Sequence, residues 1–225
     1  MNWNYLLENQ KGPVPILDDA IPFSRYVPID LSISNRQLTT IDISRPLECQ
    51  KYIDSVLKDT NGQIAFGGYL EKRNLYKSAK RFSGDEVRDI HLGVDFWCQA
   101  GTTVVVPLDG KVHSFQNNAD LGNYGPTIIL EHFIEGHTLY SLYGHLSLES
   151  LKGLYEGKAF VKGEVLATLG ETTINVNYAP HLHFQLILDL GDFNGDYPGV
   201  CSQNELGFYK KNCPDPNLLL GFSLE

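Results

Sequence analysis

The segment His181-Leu-His-Phe-Gln-Leu-Ile-Leu188 constrains this 225-residue chain more than any other. Read as a β-strand, its side chains alternate. His181, His183, Gln185 and Ile187 share one face, and Leu182, Phe184, Leu186 and Leu188 share the other. The second face is continuous, apolar and suited to a core. The first then carries two imidazoles about 6–7 Å apart along the strand. At that separation both can converge on one metal ion, or one can bind it while the other meets its water.

The sequence around this strand is also β in character. Thr103-Val-Val-Val106 is β-branched. Asp109-Gly110 is a hairpin turn signal followed by Lys111–Phe115. Thr127–His132 and Thr138–Tyr143 read as two strands joined at Glu135-Gly136, and Val161–Leu169 as a turn and strand. Ser147 is placed to cap a short helix through Leu154. Short strands with Gly-rich turns predict a mainly β fold, an antiparallel β-sheet or sandwich domain over 86–190. Residues 1–85 form an N-terminal segment packing on it. That segment contains the clearest helix, with Ser44 as N-cap, an apolar stripe of Cys49, Tyr52, Ile53, Val56 and Leu57, and a stop at Asn61-Gly62. Residues 191–225 are rich in Gly, Pro and Asn and read as a wrap on the same domain with little regular structure. Asp192–Asp196 lacks EF-hand ligand spacing and reads as a turn.

Composition narrows the functional classes. The net charge is −9, which disfavours nucleic acid, whose phosphates are bound by Lys and Arg. No stretch reaches the ~18 apolar residues that span a bilayer. The N-terminus shows no secretion-signal pattern, so the expectation for a complete gene product is the cytoplasm. None of Cys49, Cys98, Cys201 and Cys213 forms a C-x-x-C pair, which makes a thiolate zinc site improbable and predicts reduced, packed thiols. A Cys201–Cys213 bridge is the less favoured alternative. Oligomeric state is not legible.

Two further motifs complete the constellation: His91-Leu-Gly-Val-Asp95 and Tyr143-Gly-His145-Leu. Val94, Phe96 and Trp97 argue that the first is extended, with Gly93 permitting the bend that brings His91 and Asp95 together. Two neutral imidazoles and one carboxylate around Zn²⁺ leave a net charge near +1 and an open fourth position, while the spare imidazoles suit proton transfer. There is no H-E-x-x-H, so no helix-borne Glu base is available. Each motif alone is weak, because buried histidines with satisfied hydrogen bonds outnumber metal ligands. Their joint occurrence on β segments is specific. His113, His132 and His137 lack such context and read as structural or surface residues. Gln185 reads either as a support for a ligand or as a polar groove residue. Glu71, Arg73 and Arg88 read either as residues reaching the site or, the favoured alternative, as surface ion-pairing residues.

Ile90-His-Leu-Gly-Val-Asp-Phe96, Tyr143-Gly-His-Leu-Ser147 and Pro180-His-Leu-His-Phe184 resemble the lysostaphin-type (LytM-like) zinc metalloendopeptidases over about residues 88–188. The resemblance implies a groove-bearing β domain with one Zn²⁺ per chain on His91, Asp95 and His183. It gives His181 the general-base role and His145 a role in orienting water or stabilising the tetrahedral intermediate. It implies hydrolysis of peptide or cell-wall-derived (peptidoglycan) substrates. Gly170–Pro180 departs from the family's usual T-G-P loop, and the two flanking segments have no counterpart in its minimal domain; either could cover the groove. Two other readings are a non-catalytic zinc-containing peptide- or ligand-binding regulatory module, and a structural protein without metal.

Overall fold

The computed structural model describes residues 3–8, 14–73, 87–120 and 122–222. The strands are β1 (Tyr26–Pro28), β2 (Ile64–Gly67), β3 (Arg88–His91), β4 (Val94–Trp97), β5 (Thr103–Val105), β6 (Gly110–Asn118), β7 (Gly125–Ile134), β8 (His137–Gly144), β9 (Ala159–Phe160), β10 (Val165–Thr168), β11 (His181–Ile187) and β12 (Val200–Ser202). Eight of them form one sheet in the order β1-β2-β4-β11-β8-β7-β6-β9, and β10-β5 and β12-β3 form two small sheets. The expected mainly β fold is present. The sheet is mixed rather than purely antiparallel, because β1 pairs with β2 in parallel. That pair comes from the N-terminal segment, so the segment extends the sheet instead of only lying on it.

Alternation along the strands sorts the two faces. Phe66, Val94, Phe96, Leu182, Phe184 and Leu186 point into the main core. There they meet Leu17, Val104, Val106, Leu166 and Leu169, around the β5–β10 pair. Burying each such side chain contributes about 1.5–3 kcal/mol. The opposite face carries Asp95, Trp97, His181, His183 and Gln185. After a short first helix α1 (Trp3–Glu8), helix α2 (Pro46–Thr60) covers one side of it, packing Cys49, Tyr52 and Ile53 with Val27, Ala65 and Trp97. Leu190, with Tyr197 and Cys213 from the C-terminal stretch, covers another side, packing on Ile129, Leu142 and Ile187.

Several local expectations are corrected. Helix α2 is capped by Arg45, with Pro46 entering the first turn, and not by Ser44. The Ser44 N–H and Oγ are both bound to the Asp42 carboxylate. The helix ends as expected, with Asn61 left-handed at φ 55° and the Gly62 N–H returning to Leu57 O. Asp109-Gly110 does not make a hairpin: β5 pairs with β10, while β6 pairs with β7 and β9. The stretch therefore carries the chain between sheets. Ser147 does cap a helical turn, but only a 3₁₀ turn at Leu148–Leu151. The C-terminal stretch has more regular structure than its composition suggested, namely β12 and the helices α3 (Leu206–Asn212) and α4 (Asn217–Leu220). All four cysteines are free thiols. Among the described residues no helix is long and apolar enough to cross a membrane.

Candidate metal centre

The site is assembled by strand register. On adjacent strands Gly67 lies opposite Asp95, Asp95 opposite His183, and His183 opposite Gly144, making one row across the sheet. His145 follows Gly144 directly. His91 ends β3, and the Leu92-Gly93 bend returns the chain into β4, so His91 swings over Asp95. Gly93 is needed for this approach: a Cβ there would lie 2.6 Å from Phe184 O and 2.8 Å from the His183 ring. All five expected site residues are buried.

Three donor atoms converge. His91 Nε2 is 2.9 Å from His183 Nδ1 and 3.2 Å from Asp95 Oδ1, and His183 Nδ1 is 3.1 Å from the same oxygen. Ligands at ~2.0–2.1 Å from a tetrahedral Zn²⁺ stand about 3.3 Å apart, so the triangle is within a few tenths of an ångström of one face of such a site. The protonation pattern completes the fit. His91 Nδ1 donates to Gly68 O at 2.9 Å, and a carbonyl only accepts, so Nε2 is the bare nitrogen. The Gln185 amide donates through Nε2 to Pro198 O and to Cys213 Sγ. Its Oε1 therefore faces His183 Nε2, at 2.9 Å, and Nδ1 of His183 is bare as well. Two imidazole lone pairs and a carboxylate oxygen meeting at about 3 Å repel one another unless a cation lies between them. Gln185 is thus the support for His183, and this chain's residues fit a zinc ion.

Electrostatics keeps the donors in the binding form. Burial, with Arg73 adding to it, lowers the His91 pKa to about 4, so its imidazole is neutral at pH 7. Burial pushes the Asp95 carboxyl upward, but His91 and Arg73 outweigh it and hold the group well below the usual carboxylate range.

The two remaining imidazoles stand beside this triangle, His145 and His181 having ring centroids 4.1 Å apart. His181 Nδ1 donates to Ala179 O at 2.7 Å, which leaves Nε2 unprotonated, 3.9 Å from Asp95 Oδ1. Its ring stacks on Trp97, and burial lowers its pKa. His145 adopts φ 62°, a left-handed conformation that costs a non-glycine residue about 1–3 kcal/mol and concentrates at functional sites. Its backbone is held on both sides, by Tyr124 O and by the Gly170 N–H. Burial, then His181 and His183, hold its imidazole neutral. Its Nδ1 is buried and meets no partner at full hydrogen-bond geometry among the described residues, while the Asn175 backbone acts on the ring in the opposite sense to burial.

These side chains line a cavity of about 370 Å³, with Trp97, Tyr124, Tyr178, Tyr197 and Tyr209 among its walls. Leu31, Cys49 and Arg73 reach it from the N-terminal segment, and Phe193 and Glu205 from the C-terminal stretch. Tyr178 comes from the unusual loop before His181 and packs edge-on against both His145 and His181; sequence reasoning noted the loop but not this residue. For Arg73 and Glu71 the less favoured of the two expected readings holds: they are not surface ion pairs, and Arg73 reaches the site. Arg73 is fully buried and pairs with Asp95 and Glu71. Arg88 is half-buried, with Glu205 3.5 Å away. Of the histidines set aside, His132 is a buried structural group, its Nε2 2.6 Å from Ser141 Oγ. His113 packs on Tyr140 and His137 on Trp3.

Residues 89–194 match the model of peptidase family M23. A Haemophilus influenzae protein described as an uncharacterized metalloprotease is 38% identical over 95 residues, which are 42% of this chain and 18% of that protein. Among solved structures, Helicobacter pylori Csd3 is 26% identical over 56% of this chain and 33% of that one, with a TM-score of 0.36. The catalytic domain of lysostaphin from Staphylococcus simulans is 23% identical over 64% of this chain and 88% of that domain, with a TM-score of 0.39. The chain therefore spans only a minor part of the first two relatives. The part of the chain similar to peptidase family M23, residues 89–194, thus carries all of His91, Asp95, His145, His181 and His183.

Proposed function

We propose that this chain is a zinc-dependent metallopeptidase that hydrolyses peptide bonds, with cell-wall-type peptides as the substrate class. The observation that carries this reading is the triangle of His91 Nε2, Asp95 Oδ1 and His183 Nδ1, with the outer nitrogen of each imidazole committed to a carbonyl oxygen. Bound there, Zn²⁺ would supply a Lewis acid for the scissile carbonyl and an acidified water. The protein's own groups do the rest. His181 Nε2, bare because Nδ1 is tied to Ala179 O, is the base that accepts the proton and later returns it to the leaving amine. Trp97 fixes the plane of its ring. His145, held by its strained backbone beside His181, orients the attacking oxygen or donates to the oxyanion. The aromatic walls exclude water and present flat surfaces to a peptide backbone.

The test combines stoichiometry with turnover. Zinc-loaded protein is expected to hold one zinc per chain and to cleave wall-derived peptides or members of a short-peptide library. His181→Ala is expected to retain the zinc and lose about 10²–10⁴-fold in kcat. Stoichiometric zinc with no cleavage of any peptide would refute the catalytic reading.

A further inference from the structure

Arg73 lies outside residues 89–194, yet it reaches the centre of the site. Its side chain is 1% exposed, and Nη1 donates to Asp95 Oδ2 at 2.5 Å. Asp95 Oδ1 is the oxygen that faces His91 and His183, so Arg73 does not stand where the metal would. Its Nε pairs with Glu71 Oε2, and Glu71 Oε1 in turn accepts the Leu31 N–H at 2.9 Å. The guanidinium lies 5.4 Å from the centre of the Trp97 ring. The backbone around it is fixed to β3: Leu70 N–H donates to His91 O, His91 N–H to Glu71 O, and Arg73 N–H to Asp89 O.

Gly68 shapes the same place. With φ 106°, it adopts a conformation that favours glycine, and a Cβ there would lie 1.8 Å from Arg73 Nη2 and 3.1 Å from His91 Nδ1. Its carbonyl is the acceptor that sets the His91 tautomer. One short stretch preceding the family-matched domain therefore holds two of the three donors, His91 through Gly68 O and Asp95 through Arg73.

We infer that Arg73 is a positioning residue of the metal centre, holding Asp95 Oδ2 so that the carboxylate offers the ion Oδ1 alone, and that residues 64–73 complete a site which residues 89–194 do not form by themselves. The inference rests on the zinc reading above. Charge balance supports a geometric role. The Glu71 carboxylate offsets the Arg73 guanidinium, so the donor set keeps the single negative charge of Asp95 and two neutral imidazoles. What Arg73 adds is a planar fork that bridges two carboxylates, which an ammonium reproduces poorly.

The test uses the full chain and three proteins: wild type, Arg73→Lys, and the charge-balanced double variant Arg73→Met/Glu71→Gln. Zinc affinity is measured by competition with a chromophoric chelator, and coordination by the visible absorption of the Co²⁺-substituted protein; melting of the metal-free forms monitors the fold. The double variant is expected to lose about 10–100-fold in zinc affinity and to change the Co²⁺ spectrum, with Arg73→Lys between it and wild type. If the double variant fails to fold, Arg73→Lys carries the comparison. Wild-type affinity and an unchanged spectrum in a folded variant would overturn the inference and leave the zinc reading standing. Tighter zinc binding would overturn it by making Arg73 a competitor of the metal. A wild-type protein that takes no metal would overturn both.

Discussion

Gln185 provides a sharp test of how the donors are held. It is fully buried, and its Oε1 accepts from His183 Nε2 at 2.9 Å while its amide nitrogen is anchored on Pro198 O and Cys213 Sγ. Replacing it by Leu keeps the volume and removes the acceptor. The His183 N–H then has no fixed partner, and the proton is free to move to Nδ1, the atom that must be bare. Loss of such an outer partner costs about 10–100-fold in metal affinity, or ~1.4–2.7 kcal/mol. The N–H left unsatisfied in the metal-free fold costs about 1–3 kcal/mol in addition. Gln185→Glu keeps an acceptor facing Nε2 and is expected to bind zinc more tightly than Gln185→Leu. Chelator competition at fixed pH reads both variants, and denaturant unfolding of the metal-free proteins reads the stability cost. If Gln185→Leu binds zinc as tightly as wild type, the tautomer argument for His183 is wrong.

Other perturbations follow from the same geometry. His145→Asn suits the left-handed backbone at φ 62° and is expected to leave zinc content unchanged while lowering kcat about 10²–10³-fold; loss of the zinc would move His145 from proton handling to ligation. Gly93→Ala forces a methyl to within 2.6 Å of Phe184 O and is expected to cost about 1–3 kcal/mol in stability together with zinc affinity, read by thermal melting and chelator competition; a neutral outcome would mean that β11 moves aside freely. The metal-free protein is expected to weaken in mild acid. Burial first, in each case, lowers the pKa of His91, to about 4, and of His132, His145 and His181. The unfolded chain, with histidines near 6.5, then binds more protons than the native state, so stability is full above that value. It drains away as pH falls toward each folded pKa, by up to about 1.4 kcal/mol per pH unit for each group. Urea midpoints that stay level between pH 7 and pH 5 would contradict these shifts.

Much of the site was legible because its logic is local. The alternation of His181–Leu188 fixes which residues share a face, and β11 does send Leu182, Phe184 and Leu186 to the core and both histidines to the site. Gly93 between His91 and Asp95 announces a bend. What was not legible depends on pairings between distant strands. No local signal puts Gly67, Asp95, His183 and Gly144 in one row. For Arg73 a surface charge was favoured over a residue reaching the site because exposure is the ordinary fate of an arginine, although the nearby Gly67-Gly68 pair hints at a close approach. Asp109-Gly110 misled for a similar reason, since a turn dipeptide specifies a bend and not the partner of the next strand. At α2, Pro46 at the first helical position outweighed Ser44 as a start signal.

The central claim is tested most directly by a crystal structure of the zinc-loaded protein with anomalous data on both sides of the zinc absorption edge. The account predicts one strong peak within ~2.0–2.2 Å of His91 Nε2, Asp95 Oδ1 and His183 Nδ1, with Arg73 still on Asp95 Oδ2. A zinc peak elsewhere, or one coordinated through His145 or His181 in place of any of these three, would contradict it.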